Sequence, residues 1–230
     1  MTARDVGVVI VAAGSSSRTG DGELKQFRWV AGRPMLLHSL QLFQARLDVA
    51  MVVCVLPREY AGDPPPWIFQ CDAERMLVSV GGRTRAESVR NGLADLPPDC
   101  GIVLVHDAAR PLVPGAVLDR VVDAVRGGTS AIAALPVVDT LKEVDDTGRI
   151  VCTVERAALW RAQTPQGFPR AVLLRAHRAA EDGGYDGTDD AALVERLGEP
   201  VVVVQGSERA MKVTEATDFL RAEAMYGLAD

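Results

Sequence analysis

Val6-Gly-Val-Val-Ile-Val11-Ala-Ala-Gly14-Ser-Ser-Ser-Arg18 is the stretch that decides how the chain is read. Its first six residues are apolar without alternation, as in a strand buried on both faces. The residues that follow are small, so the backbone can approach a ligand and its N–H groups can line an anion-binding hollow. Arg18 and Lys25 then bring positive charge to the same mouth. The combination points to a polyphosphate site, and a plain strand-to-loop connection is the competing reading. No G-x-x-x-x-G-K-[ST] string occurs, and Ser16 stands where a dinucleotide loop would need its second glycine.

Outward from this stretch, apolar runs alternate with helical stripes. Strands are predicted at Val49–Leu56, Met76–Val80, Ile102–Val105 and Ser130–Leu135, with a last central strand over 200–204. Helices are predicted from Pro34 through Phe43, from Thr84 to about Leu96, over 117–125, from Val172, from Thr188 and from Thr214 to about Tyr226. Thr84, three residues before Glu87, has the spacing of a capping box. Gln163 to Phe168 reads as a non-helical stretch. The rhythm predicts a three-layer α/β fold, Rossmann-like, with a mostly parallel central sheet.

Between 137 and 156 the rhythm breaks. Two alternating runs flank Asp145-Asp-Thr-Gly148, the pattern of a β-hairpin. Such an arm has no place on the parent core, and a second copy of the chain is its expected partner. The domain expectation is therefore one unit over 1–230, with 137–156 as a dimerisation arm.

The totals narrow the function. The 230 residues carry a net charge of −6, which argues against a broad nucleic-acid surface. No apolar run is long enough to cross a membrane, and Met1-Thr-Ala-Arg-Asp has no signal-peptide pattern. Cys54, Cys71, Cys100 and Cys152 are far apart, as expected of buried free thiols in a reducing cytoplasm. His38, His106 and His177 lack metal-ligand spacing.

Three further places sit where a parallel sheet presents ligand-handling groups. Gly81-Gly82 follows the third strand and is either a ligand-facing loop or an ordinary turn. Asp107 ends the fourth strand, where it could hold a divalent cation between phosphates or pair locally with Arg110. Lys212 precedes the last helix and either reaches the first loop or is simply solvated.

Taken together these motifs resemble the 2-C-methyl-D-erythritol 4-phosphate cytidylyltransferase family of the non-mevalonate isoprenoid pathway. The resemblance rests on Ala12-Ala-Gly14, Arg18, Lys25-Gln-Phe27, Gly81-Gly82 with Arg85-Ala-Glu-Ser88, and Val105-His-Asp-Ala-Ala-Arg-Pro111. It continues through Asp139-Thr140, Thr153-Val-Glu-Arg156, Leu159-Trp160, Thr164-Pro-Gln166, Thr188-Asp189 and Lys212-Val-Thr214, and so spans nearly the whole length. It implies a homodimeric, Mg²⁺-dependent transferase that joins CTP to methylerythritol phosphate and releases pyrophosphate. It further implies that Ala12, Ala13, Gly14 and Arg18 hold the triphosphate, with Lys25 at the reacting centre. Gly82 and Ser88 would read the base, and Asp107 would lie by metal and ribose. Arg110, Thr140, Thr164, Thr188 and Lys212 would hold the sugar phosphate, with Arg156 supplied by the partner subunit.

Ser16, Leu24 and Arg83 depart from the family's usual pattern, and Arg83 adds positive charge near the base. The reaction needs no general base, because a phosphate is already ionised at neutral pH. The nearest alternative is a cytidylyltransferase for another polyol phosphate such as ribitol 5-phosphate, from which Ala109 leans away. A nucleotide-binding protein without catalysis is opposed by Arg18, Lys25, Asp107 and Lys212, and a dinucleotide oxidoreductase by the missing glycines.

Overall fold

A computed structural model describes residues 4–14 and 24–228. Arg18 and Ser16, and with them most of the first loop, lie outside the described residues. In chain order the elements are β1 (Val6–Val11), β2 (Trp29–Val30), β3 (Arg33–Pro34), α1 (Met35–Gln44), β4 (Val49–Leu56) and α2 (Arg58–Ala61). They continue with β5 (Met76–Val80), α3 (Arg85–Asp95), β6 (Ile102–Asp107), α4 (Gly115–Arg126), β7 (Ser130–Pro136), β8 (Leu141–Val144) and β9 (Ile150–Val154). The chain closes with β10 (Trp160–Pro169), α5 (Arg170–Asp182), α6 (Asp190–Arg196), β11 (Val201–Gln205) and α7 (Ala216–Tyr226).

The main sheet has the order β11-β7-β10-β6-β1-β4-β5. All its pairings are parallel except those of β10, which runs antiparallel to both β6 and β7. The period-two alternation of side chains divides β1 between two cores. Val6, Val8 and Ile10 face α1 and α4, meeting Leu40, Phe43, Leu118 and Val121. Val9 faces the opposite way, into Val89 and Leu93 of α3, Leu173 of α5 and Val194 of α6. A smaller third cluster seats α7 on Val30, Met35 and Leu112 through Phe219 and Ala222. The three expected layers are present.

One strand expectation is corrected and one stretch is given its place. The non-helical stretch from Gln163 to Phe168 belongs to β10, inside the sheet between β7 and β6. Proline has no N–H for a ladder, and here the pairing with β7 skips from Ala162 to Gln166, so Pro165 falls in the skipped segment. Conversely, β11 is an edge strand rather than a central one, with Val202 and Val203 42% and 46% exposed.

The expected hairpin forms: β8 and β9 pair antiparallel, apart from the main sheet. Val138, Leu141, Val144, Ile150 and Val151 are all exposed on it or at its base. Cys54, Cys71 and Cys100 are buried free thiols as expected, whereas Cys152 is exposed on this arm, because both faces of the hairpin stand clear of the core.

Candidate active site

The chain runs from β1 to its neighbour β4 on one side, then returns to place β6 on the other side of β1. The connections therefore diverge between β1 and β6, and a crevice opens at the carboxyl ends of the strands. Ladder bonds extend past the strand ends and tie three loops to this rim. Ala12 N–H donates to the Val55 carbonyl at 2.9 Å, Gly81 N–H to Leu56 at 2.7 Å and Ala108 N–H to Val11 at 3.1 Å.

The rim holds a cavity of about 540 Å³ bordered by Ala12, Ala13, Gly14, Lys25, Gly82, Ser88, Asp107 and Lys212. A second cavity of about 250 Å³ is bordered by Arg110, Thr164, Gln166 and Thr188. Arg85, Asp107 and Lys212 border both, so the two spaces share a charged wall.

Side chains far apart in sequence brace the larger cavity. Lys25 begins a single 3₁₀ turn, Lys25–Phe27, and its Nζ donates to the Val213 carbonyl at 2.8 Å. Gln26 is buried and donates to the Ala12 carbonyl at 2.5 Å, pinning the start of the small-residue loop. Phe27 anchors the turn edge-on between Tyr60 and Trp67.

The paired glycines are required by space. A Cβ on Gly81 would lie 2.2 Å from Ala13 Cβ, and one on Gly82 would lie 2.2 Å from Glu87 Cγ. The Gly-Gly loop thus closes on the first loop in a way no larger residue permits. The amides of this loop are used within the chain: Gly81 N–H donates to the Leu56 carbonyl and Gly82 N–H to Ser88 Oγ at 3.0 Å. Ser88 in turn donates to the Thr84 carbonyl, so it fixes the loop's shape. Thr84 caps α3 by accepting from Glu87 N–H at 3.2 Å, while Glu87 reaches Arg83 N–H at 2.8 Å, one residue beyond the reciprocal partner of a capping box.

Asp107 is the charge centre. Its carboxylate accepts from Lys212 Nζ at 2.8 Å and from Arg85 Nε at 3.4 Å. Burial alone would raise its pKa, but Arg85 and Lys212 outweigh this and hold it far below the usual carboxylate range. The local Asp107–Arg110 pair is not what closes the loop. Arg110 instead donates to the Ala210 and Ala162 carbonyls at 2.7 and 3.3 Å. Lys212 pairs with Asp107 although its side chain stays 46% exposed, and Val213 N–H donates to the Ala109 carbonyl at 2.8 Å, which secures its segment.

Thr164 has an internal role that the sequence did not reveal. Its Oγ accepts from Asp107 N–H at 3.0 Å and lies 3.0 Å from His106 Nδ1. His106 Nε2 is 3.1 Å from the Arg110 carbonyl, which can only accept, so the proton sits on Nε2 and Thr164 donates to Nδ1. Burial lowers the pKa of His106 to about 4, keeping the ring neutral in this network.

Gln166, Arg85 and Asp190 were also missed as site residues. Gln166 Oε1 accepts from the Asp190 and Ala191 amides, and its Nε2 donates to Asp189 at 2.7 Å. It thereby fixes the start of α6 beside Thr188. Arg85 Nη1 donates to the fully buried Asp190 at 2.7 Å. Arg85 and Gln166 stood within the motifs that carry the family resemblance, and Arg85 also follows the cap Thr84 directly; Asp190 had no such signal.

Thr140 and Arg156 border neither cavity. Both lie at the exposed base of the arm, where Arg156 donates to the Val138 carbonyl. Among the described residues no group of three His, Cys, Asp or Glu side chains could hold a metal, and no helix is long and apolar enough to cross a membrane.

The comparisons with known proteins converge. Residues 6–227 match the family model of 2-C-methyl-D-erythritol 4-phosphate cytidylyltransferase. The chain is 47% identical over 230 residues to the protein of that name from Streptomyces coelicolor, covering 94% of this chain and 83% of the relative. It is 44% identical to the one from Streptomyces avermitilis, covering 94% and 90%. The crystal structure of the Thermus thermophilus protein of the same name is similar with a TM-score of 0.82 at 36% identity, over 97% of this chain and 100% of that one. The chain therefore belongs to the 2-C-methyl-D-erythritol 4-phosphate cytidylyltransferase family.

Proposed function

We propose a division of labour between the two cavities for the reaction of this family, in which CTP and 2-C-methyl-D-erythritol 4-phosphate give 4-diphosphocytidyl-2-C-methyl-D-erythritol and pyrophosphate. The observation that carries it is the shared wall of Arg85, Asp107 and Lys212 between a larger and a smaller cavity. The larger space takes the nucleotide. Its triphosphate is held by Ala12, Ala13, Gly14 and Arg18, and its base lies by Gly82, in the space Ser88 shapes. The smaller space takes the sugar phosphate, between Arg110, Thr164 and Thr188. Arg85 and Arg110 bring two guanidinium groups to its wall, which suits an anion.

The substrate's phosphate oxygen attacks the α-phosphorus of CTP, and pyrophosphate leaves in line. Two anions must be brought together, so positive charge at the junction is the first requirement. Lys25 and Lys212, both in the wall of the larger cavity, supply it and stabilise charge that builds on the α-phosphate. Holding both reactants across one wall supplies the positioning. The larger cavity has one carboxylate in its wall, Asp107, and no dedicated metal cage among the described residues. That donor set fits Mg²⁺ arriving with the nucleotide, since Mg²⁺ is usually held by one or two carboxylates together with substrate phosphates. Asp107 would hold it, and when bound the ion would neutralise phosphate charge.

The active form is a homodimer joined through the arm, with Arg156 of each subunit reaching the smaller cavity of the other. Isolated two-stranded hairpins are marginal, and this one carries apolar pairs, Leu141 with Val154 and Val144 with Ile150, away from any core. Four free cysteines, one of them exposed, favour the cytoplasm. The test is pyrophosphate release with Mg²⁺ from CTP and methylerythritol phosphate. Turnover is expected with this pair and not with UTP or ribitol 5-phosphate; equal rates with ribitol 5-phosphate would overturn the substrate assignment.

A further inference from the structure

We infer that Arg85, anchored from below by Asp190, is a positioning residue that couples occupancy of the two cavities. Its guanidinium borders both spaces and bridges two carboxylates from different layers of the molecule. Nη1 meets Asp190 at 2.7 Å and Nε meets Asp107 at 3.4 Å. Asp190 is fully buried and belongs to α6, the helix whose start stands beside the smaller cavity. His177 Nε2 lies 3.0 Å from its other oxygen, and Gln166 accepts from its amide, so the anchor is fixed on three sides.

The chain of contacts therefore runs from α6 through Arg85 to Asp107, and from Asp107 to Lys212 in the nucleotide cavity. The anchor is fixed but the contact to Asp107 is long at 3.4 Å, so a ligand in the smaller cavity that settles the guanidinium against Asp107 also fixes the carboxylate facing the nucleotide. The second ligand then meets a wall that needs less ordering, which is positive cooperativity. Linkage makes the effect reciprocal between the two ligands. Asp190 borders neither cavity in this chain, so any effect of it on nucleotide affinity must pass through Arg85.

This inference rests on the assignment of CTP and the polyol phosphate to the two cavities, and the experiment separates the two. Binding of α,β-methylene CTP, which cannot react, is measured by calorimetry with Mg²⁺, without and with saturating methylerythritol phosphate. The wild-type protein is expected to bind the analogue at least about fivefold more tightly in the presence of the second ligand. Arg85→Lys keeps the charge but cannot span both carboxylates, and Asp190→Asn removes the anchor's charge. In each the ratio is expected to fall to about one while the analogue still binds. His177→Gln, neutral and remote from both spaces, is expected to give an intermediate ratio, and it decides the matter should the charge variants fail to fold. A merely structural role lowers melting temperature and active fraction but leaves the ratio at its wild-type value. A wild-type ratio of one, or an undiminished ratio in the variants, overturns the inference. An analogue that does not bind at all overturns the cavity assignment instead.

Discussion

The rim of the sheet and the β-arm are built on opposite principles. At the rim the charged groups are held by others: Asp107 by Arg85 and Lys212, Arg85 by Asp190, Arg110 by two carbonyls. The arm pairs with itself, and its Ile150 and Val151 are 64% and 61% exposed. Preorganised charge is what stabilisation of a developing anion requires, because no reorganisation is left to be done during reaction. Exposed apolar side chains on an unsupported hairpin are what association requires. One region is finished within the chain, and the other leaves apolar side chains uncovered, which is what the proposed dimer would bury.

The largest effects should come from breaking the rim. Lys25→Ala is expected to lower kcat by on the order of 10²-fold or more, the scale of losing one preorganised charge stabiliser. Steady-state pyrophosphate release measures it, and a near-normal kcat would remove Lys25 from the chemistry. The arm should be untouched, so this variant is expected to keep the wild-type molecular mass by light scattering.

The complementary break leaves the rim intact. Val151→Asp puts a charge on the arm, and light scattering is expected to report a monomer. Its melting temperature is expected to stay within a few degrees of wild type once compared at the same association state, since exposed substitutions away from special contacts change stability by less than about 0.5 kcal/mol. An unchanged dimer would show that the arm is not the interface. Mixing subunits sharpens the same contrast. A dimer of one Arg156→Ala subunit and one Lys25→Ala subunit has one site with both lesions and one with neither, if Arg156 crosses over. Random mixing makes about half of the dimers hybrids, so about a quarter of wild-type activity should return. Verified hybrids that stay inactive would place Arg156 in its own subunit's chemistry.

The same contrast explains what could be read from the sequence. Strands β1 and β4 were legible to the residue because strands buried on both faces are unbroken apolar runs, and the edge strand β5 because paired glycines end it. Lys25, Asp107 and Gly81-Gly82 were legible because they follow such strands. β10 was not, because its buried residues are polar: Gln163 is spent on the Ser207 backbone, Thr164 on Asp107 and His106, and Gln166 on α6. Pro165 hid it further. The four valines of β11 read as a central strand because a run of apolar residues does not say which edge lacks a neighbour. Partnerships such as Arg85 with Asp190, 105 positions apart, exist only once the layers are stacked.

The smallest expected effect separates the two regions by pH. His106 is buried at the rim and neutral, with its pKa near 4 against about 6.5 in an unfolded chain. Below 6.5 the unfolded state takes up a proton that the native ring refuses, so stability falls as pH drops from 6.5 and levels off only below about 4. Between pH 7 and 5.5 this amounts to about 1 kcal/mol. His106→Gln can keep a donor towards the Arg110 carbonyl and an acceptor for Thr164 but cannot titrate. Urea unfolding at the two pH values is therefore expected to show a smaller pH-dependent loss in His106→Gln than in wild type, by about that amount. His38 is also buried with a lowered pKa and leaves part of the slope in both proteins. A slope unchanged by His106→Gln would mean that the rim admits a proton at that ring, and Thr164 would then have no fixed acceptor through which to orient Asp107.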